Sequence, residues 1–122
     1  MPNWKKIFLQ KVYYLCFMIE SNEIINRVKN SVKLVMPDAT VILFGSYARG
    51  DNKPNSDIDL LILINKSEVT REDEKKVKYP LYEIEFDTGT IISPLVLSKN
   101  EWESRHRITP FYDNIDKEGI IL

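Results

Sequence analysis

Cysteine is nearly absent from this sequence, which has a single cysteine among its 122 residues. Cys16 has no partner for an internal disulfide, and a chain without disulfides is typical of the reducing cytoplasm. We therefore predict a cytoplasmic protein. We expect Cys16 itself to be a small buried apolar residue.

An excess of positive charge is also absent, because 17 lysine and arginine residues face 18 aspartate and glutamate residues. A broad nucleic-acid-binding surface needs a clear basic excess, so the composition argues against one. Internal repeats and low-complexity segments are absent too. A chain of 122 residues is long enough to bury a core and predicts one domain.

Long apolar runs are lacking as well. The longest extends from Ile7 to Ile19, and a membrane span needs about 20 apolar residues, so we predict no membrane association. Lysines followed by an apolar stretch resemble the start of a signal peptide. However, Lys11 interrupts the apolar run and no small-x-small cleavage site follows it. Residues 1–20 are an extension of uncertain role: an extra helix, a start codon assigned too early before Met18, or a targeting segment. Residues 21–122 are the predicted domain.

Apolar periodicity predicts the elements of this domain. A helix capped by Ser21 or Asn22 ends at Pro37, and a second helix begins after Thr70 and is kinked or restarted at Pro80. Strands are predicted at 40–44, 57–64 and 90–98, and short helices at 47–51, 99–106 and 109–119. Pro94 makes the last strand an edge or bulged strand. The prediction is an α/β (α+β) fold with a small mixed sheet and helices packed on it.

Two aspartates precede the most apolar strand. Asp57 and Asp59 lie two residues apart, so on a strand their side chains share one face. Two such carboxylates at the entrance to a core are unfavourable unless a cation compensates them. Oxygen ligands without nearby histidine or cysteine favour Mg²⁺. The alternative is that the strand begins one residue later and both aspartates are solvated loop residues.

A glycine turn lies upstream of these aspartates. Gly45 follows a buried strand, and a phosphate can approach glycine backbone closely. Ser46 opens a short helix whose N–H groups and hydroxyl can bind phosphate, and Arg49 adds charge one turn later. Neither the P-loop pattern nor G-x-G-x-x-G is present. Together the turn and the aspartates suit transfer between phosphates.

The segment "GSYARG" followed by "SDIDLLI", with ten residues between Ser46 and Asp57, resembles the DNA polymerase β-like nucleotidyltransferase superfamily. The short chain resembles its minimal nucleotidyltransferases, the MNT proteins. The resemblance implies that Asp57 and Asp59 are catalytic and hold Mg²⁺, and that Gly45 and Ser46 bind the triphosphate. A nucleoside monophosphate would be moved to a hydroxyl, and we expect it to be AMP from ATP. It also implies a small helical HEPN-type partner protein in a toxin–antitoxin pair.

One departure concerns a third carboxylate, which the family usually carries on the strand after the next helix. In "ISPLVLS", Ser93 stands at that position, and Glu85 and Asp87 lie nearby in the sequence. The third acid commonly helps to activate the acceptor hydroxyl. The alternative to an enzyme is therefore a nucleotide-binding or partner-binding protein with weak or no activity.

Overall fold

The computed structural model describes residues 3–104 and 108–122, in which helices cover both faces of a four-stranded sheet. The helices are α1 (Asn3–Val35), α2 (Ser46–Arg49), α3 (Arg71–Thr88), α4 (Lys99–Ser104) and α5 (Pro110–Glu118). The strands are β1 (Thr40–Phe44), β2 (Ile58–Ile64), β3 (Ile92–Ser98) and β4 (Ile120–Ile121). The end of the helix predicted at 99–106 falls outside the described residues.

The sheet is mixed, as predicted. Its strand order is β3-β2-β1-β4, with β1 antiparallel to both neighbours and β2 parallel to β3. The parallel pair needs a crossover, which α3 supplies. Strand β2 is apolar at nearly every position because the sheet is covered on both faces. The predicted mixed α+β fold is confirmed.

Two apolar clusters hold these layers together. On one face, Val28 and Val32 of α1 and Leu81 of α3 pack with Leu60 of β2, and all four side chains are fully buried. On the other face, Trp102 joins a smaller cluster with strand and α5 residues, at ring-centroid distances of 5.6 Å from Phe111 and 5.0 Å from Tyr112. The smaller cluster covers only part of its face, and Asp59 lies on that same face of β2.

Helix α1 differs most from the prediction. It is one continuous helix from Asn3 to Val35, so a cap at Ser21 or Asn22 is wrong. The Ser21 hydroxyl instead donates a hydrogen bond of 2.9 Å to the carbonyl of Phe17, one turn earlier in the same helix. The prediction that Cys16 is buried is also wrong, because the helix has left the domain at this point and Cys16 is exposed. No helix among the described residues is both long enough and apolar enough to cross a membrane.

The two prolines have different outcomes. Helix α3 continues through Pro80 without restarting, because Val77, Leu81 and Ile84 hold both of its halves on the core. Pro94 lies in β3, which is the edge strand, as predicted. Its nitrogen faces the open edge, on the same side as the amide of Ile92, so the sheet loses no hydrogen bond there.

Helix α3 begins with a capping box. The Thr70 hydroxyl accepts from the Asp73 amide at 3.2 Å, and the Asp73 carboxylate accepts from the Thr70 amide at 3.1 Å. Lys66 donates to the same carboxylate at 2.8 Å. The Lys66 hydrogen bond and then the Thr70 amide lower the pKa of Asp73 from 3.8 to about 2.

We expect Asp73→Asn to destabilise the protein at neutral pH and to lose that effect in acid. The folded state favours the ionised Asp73, so its contribution is full above the ordinary pKa of 3.8 and disappears as the pH falls towards about 2. Urea unfolding of both chains at pH 7 and near pH 2 measures this. A stability difference that is independent of pH would contradict the assignment.

Candidate functional site

Gly45 forms the turn between β1 and α2 in a conformation that is open essentially only to glycine. Its φ is 72° and its ψ is −153°. A Cβ atom built on Gly45 would overlap Oδ2 of Asp59 and lie 3.2 Å from its Cγ. The glycine backbone and the Asp59 carboxylate are therefore in direct contact. Ser46 follows at the first position of α2 and is partly exposed.

The two aspartates differ in their surroundings. Asp59 lies in β2 opposite Phe44 and is partly buried, whereas Asp57 is exposed and directly precedes the strand. The strand therefore begins one residue later than predicted. The alternative in which both residues are solvated loop positions is wrong for Asp59 and describes Asp57. The bond from the Ile58 amide to the Ile91 carbonyl, 2.9 Å, anchors the chain directly after Asp57.

The Asp59 carboxylate is close enough to Asp57 to be affected by its charge. Burial, and secondly the charge of Asp57, raise the pKa of Asp59 above its ordinary value, while Arg49 acts in the opposite direction. Within residues 3–104 and 108–122, neither aspartate side chain makes a hydrogen bond or an ion pair. A partly buried, unpaired carboxylate beside a second one favours a bound cation.

The donor set fits a hard divalent cation. Two carboxylates are too few to enclose a metal, and no group of three histidine, cysteine or acidic side chains occurs among the described residues. Mg²⁺ commonly binds through one or two carboxylates and takes its other ligands from water and substrate phosphates. Asp57 and Asp59 are therefore the side chains that would hold it.

Arg49 is not a free cation at this site. Its guanidinium lies 3.3 Å from Asp51 and 3.2 Å from Glu118, at the surface. These two acids raise the pKa of Arg49 further, so it stays charged. Arg49 acts on Asp59 through its charge, and a phosphate contact would need it to leave one of its acidic partners.

We expect Arg49→Gln to weaken nucleotide binding only about two- to tenfold, because two carboxylates already compete for its charge. Loss of two exposed ion pairs should change the free energy of unfolding little, because solvent screens both of them. Titration calorimetry and urea unfolding on the same samples measure both effects. A loss of binding beyond a hundredfold would show that Arg49 contacts the phosphates directly.

Ser93, which the resemblance places at the position of the third carboxylate, lies in β3. Register pairs Asp59 with Ser93 in the parallel β2–β3 ladder, so these two side chains lie side by side on one face. Glu85 Oε2 accepts from the Ile92 amide at 3.0 Å at the outer edge of β3. Asp87 forms a 2.7 Å ion pair with Arg27 of α1. Both acids are on α3, which packs on the opposite face, and each is already bonded there.

A groove of about 410 Å³ beside the site was not predicted. It lies between α1, α2 and the residues that follow α3, and Tyr47 of α2 lines it. Burial raises the pKa of Tyr47, and the charge of Asp57 adds a smaller effect of the same sign. The groove exists because α1 extends beyond Ser21 towards the N-terminus. No residue pattern in the sequence indicated that a single helix would run through Ser21.

Comparisons with known proteins fit this geometry. The sequence pattern described as "Nucleotidyltransferase domain" matches residues 21–109, which include the glycine turn, both aspartates and Ser93. The chain belongs to the nucleotidyltransferase domain family. This nucleotidyltransferase domain is 34% identical over 105 residues to a protein of Methanocaldococcus jannaschii named "Putative protein adenylyltransferase", covering 84% of this chain and 98% of that protein.

A solved structure has also been matched to this nucleotidyltransferase domain. It is titled as the crystal structure of a "putative nucleotidyltransferase" from Sulfolobus solfataricus, with 25% sequence identity. The match covers 83% of this chain and 74% of that chain, with a TM-score of 0.45.

Proposed function

We propose that this protein is a Mg²⁺-dependent nucleotidyltransferase that moves AMP from ATP to a hydroxyl group on a partner protein. One observation carries the proposal. The Gly45 backbone touches the Asp59 carboxylate, with Asp57 directly before the same strand. A phosphate-binding turn and a cation-binding pair thus meet at one point, as a metal-bound triphosphate requires.

In this proposal, the residues of the glycine turn bind phosphate and the two aspartates bind the metal. Because the Asp59 carboxylate fills the space that a Gly45 side chain would take, Gly45 keeps the phosphate-binding turn and the carboxylate close together, and the Ser46 hydroxyl donates a hydrogen bond to a phosphate oxygen. Asp57 and Asp59 would hold Mg²⁺, which neutralises phosphate charge and aligns the nucleotide. The acceptor oxygen forms a bond to the α-phosphorus, the bond from that phosphorus to the bridging oxygen breaks, and pyrophosphate leaves. The hydroxyl proton passes to solvent or to a group on the acceptor.

A protein is the acceptor that fits best. The relative from Methanocaldococcus jannaschii is named for adenylyl transfer to protein, and the alignment spans nearly all of its length. We therefore propose that the acceptor hydroxyl lies on a second chain. We infer that the partner is a small helical protein of the HEPN type, with this chain as the antitoxin of the pair.

The serine at the third-carboxylate position favours a second candidate. Without an acid at Ser93, the site has no carboxylate beside Asp59 on β3 to take a proton from the acceptor. The second candidate is a nucleotide-binding or partner-binding protein with weak or no transfer activity. It would act by forming a complex.

Label transfer separates these candidates. The chain is incubated with Mg²⁺ and ATP labelled at the α-phosphate, in the presence of the protein with which it co-purifies from its native host. The enzyme predicts label on that protein, no label from γ-labelled ATP, and no transfer by Asp57→Asn. If Asp57→Asn binds and neutralises the partner as well as the native chain does, and no label moves, the second candidate is correct.

A further inference from the structure

The first half of α1 exposes apolar side chains around most of its circumference, with a few charged residues between them. We name residues 3–20 the extension; all of them except Phe17 are exposed. Ten large apolar side chains within it are each 40–67% exposed: Trp4, Ile7, Phe8, Leu9, Val12, Tyr13, Tyr14, Leu15, Met18 and Ile19. A helix that is apolar all round is normally buried. Eighteen residues of helix extend about 27 Å at 1.5 Å per residue.

The exposed apolar surface of the extension is larger than an ordinary monomer carries. Ten half-exposed large side chains present on the order of 1,000 Å², against about 300–600 Å² for the largest exposed apolar patch of an ordinary monomer. This area surrounds the helix, so a single partner helix covers the part of it that lies along one seam.

One seam in the extension has coiled-coil spacing. Phe8, Val12, Leu15 and Ile19 follow steps of four, three and four residues, which places them in one line along the helix. This line lies on roughly the opposite side of α1 from the core residues Val28 and Val32. The next positions along the line are polar, so the seam ends where the domain begins.

We propose that the extension pairs with the extension of a second copy of this chain in an antiparallel helix pair. The seam is nearly symmetric about its centre. In the antiparallel register that aligns it, Phe8 faces Ile19 and Val12 faces Leu15 of the second copy. Each pair therefore brings a β-branched side chain, Ile19 or Val12, against one that is not β-branched, Phe8 or Leu15.

Charge selects the antiparallel direction. Lys5 lies near the start of the extension and Glu23 just beyond its end, and both flank the same side of the seam. In the antiparallel register, Lys5 of one copy lies within about one turn of Glu23 of the other. A parallel pair would place lysine against lysine and glutamate against glutamate.

Sedimentation of the full chain tests the pairing. The native protein should sediment at twice its chain mass of 14.3 kDa in the micromolar range. Val12→Lys/Leu15→Lys should raise the dissociation constant at least about a hundredfold. Leu34→Lys is the matched control, because Leu34 is 83% exposed on the same helix but outside the extension, and it should leave the dimer intact. Circular dichroism checks that each variant is folded.

A charge swap tests the direction. Lys5→Glu should weaken the dimer about tenfold, and mixing it with Glu23→Lys should restore association. A native chain that stays monomeric at about 100 μM overturns the proposal. A dimer that survives Val12→Lys/Leu15→Lys places the interface elsewhere, and a dimer that is indifferent to Lys5→Glu excludes the antiparallel direction.

Discussion

Gly45→Ala is expected to weaken Mg²⁺-ATP binding at least about a hundredfold, equivalent to roughly 2.7 kcal/mol. A methyl group on Gly45 would overlap the Asp59 carboxylate, so that either the turn or the carboxylate must move. The backbone conformation there, at φ 72° and ψ −153°, is essentially closed to alanine. The free energy of unfolding should therefore fall as well, by about 1–3 kcal/mol.

Gly50→Ala is the matched control for backbone strain. Gly50 also has a positive φ, 80°, but no atom lies within 4 Å of a Cβ built there. We expect Gly50→Ala to destabilise the protein by about 1 kcal/mol while leaving nucleotide affinity within a few-fold of the native value. Calorimetric titrations well below the melting temperature compare the two variants. Native affinity in folded Gly45→Ala would refute the contact between turn and carboxylate as the basis of binding.

Ser93→Asp is expected to raise the rate of label transfer by about 10²–10⁴-fold, the usual contribution of general acid–base catalysis. Ser93 lies beside Asp59 on the neighbouring strand, so the new carboxylate would complete a three-acid cluster on one face. In the absence of metal, three neighbouring carboxylates repel one another, so this variant should be less stable than the native chain. Added Mg²⁺ should restore that stability.

Ser93→Asn separates the effect of charge from that of size. It has nearly the same shape as the aspartate variant without the carboxylate, and we expect no gain in transfer. A double variant, Asp57→Asn/Ser93→Asp, should be inactive, because the added base acts only on a nucleotide held by the original pair. An equal gain in Ser93→Asn and Ser93→Asp would argue against a missing base.

Much of the fold and site follows from local patterns. A helix was predicted at 109–119, and Thr109 caps it by accepting from the Tyr112 amide at 3.2 Å, since capping depends only on residues within one turn. The apolar run of β2 and the glycine turn before α2 could likewise be predicted from a short stretch of sequence alone. The resemblance placed Ser93 where the family usually carries a third carboxylate, and the strand register, which the sequence does not give, pairs Ser93 with Asp59.

The features that were not predicted depend on contacts distant in sequence. Strand β4 has two residues, Ile120 and Ile121, and exists only because β1 offers an open edge beside it. The ion pair of Arg49 with Glu118 joins residues 69 positions apart. Continuity of α1 through Ser21 was missed because serine is a common helix cap, and a mid-helix serine bonded to the preceding turn has the same local sequence.

Titration of ATP into the native chain and into Asp57→Asn, each with and without Mg²⁺, tests the central claim most directly. The account predicts binding by the native chain that requires Mg²⁺, and loss of that binding in Asp57→Asn with an unchanged fold. Binding that is independent of both Mg²⁺ and Asp57 would contradict it, because the two aspartates would then have no part in holding the nucleotide.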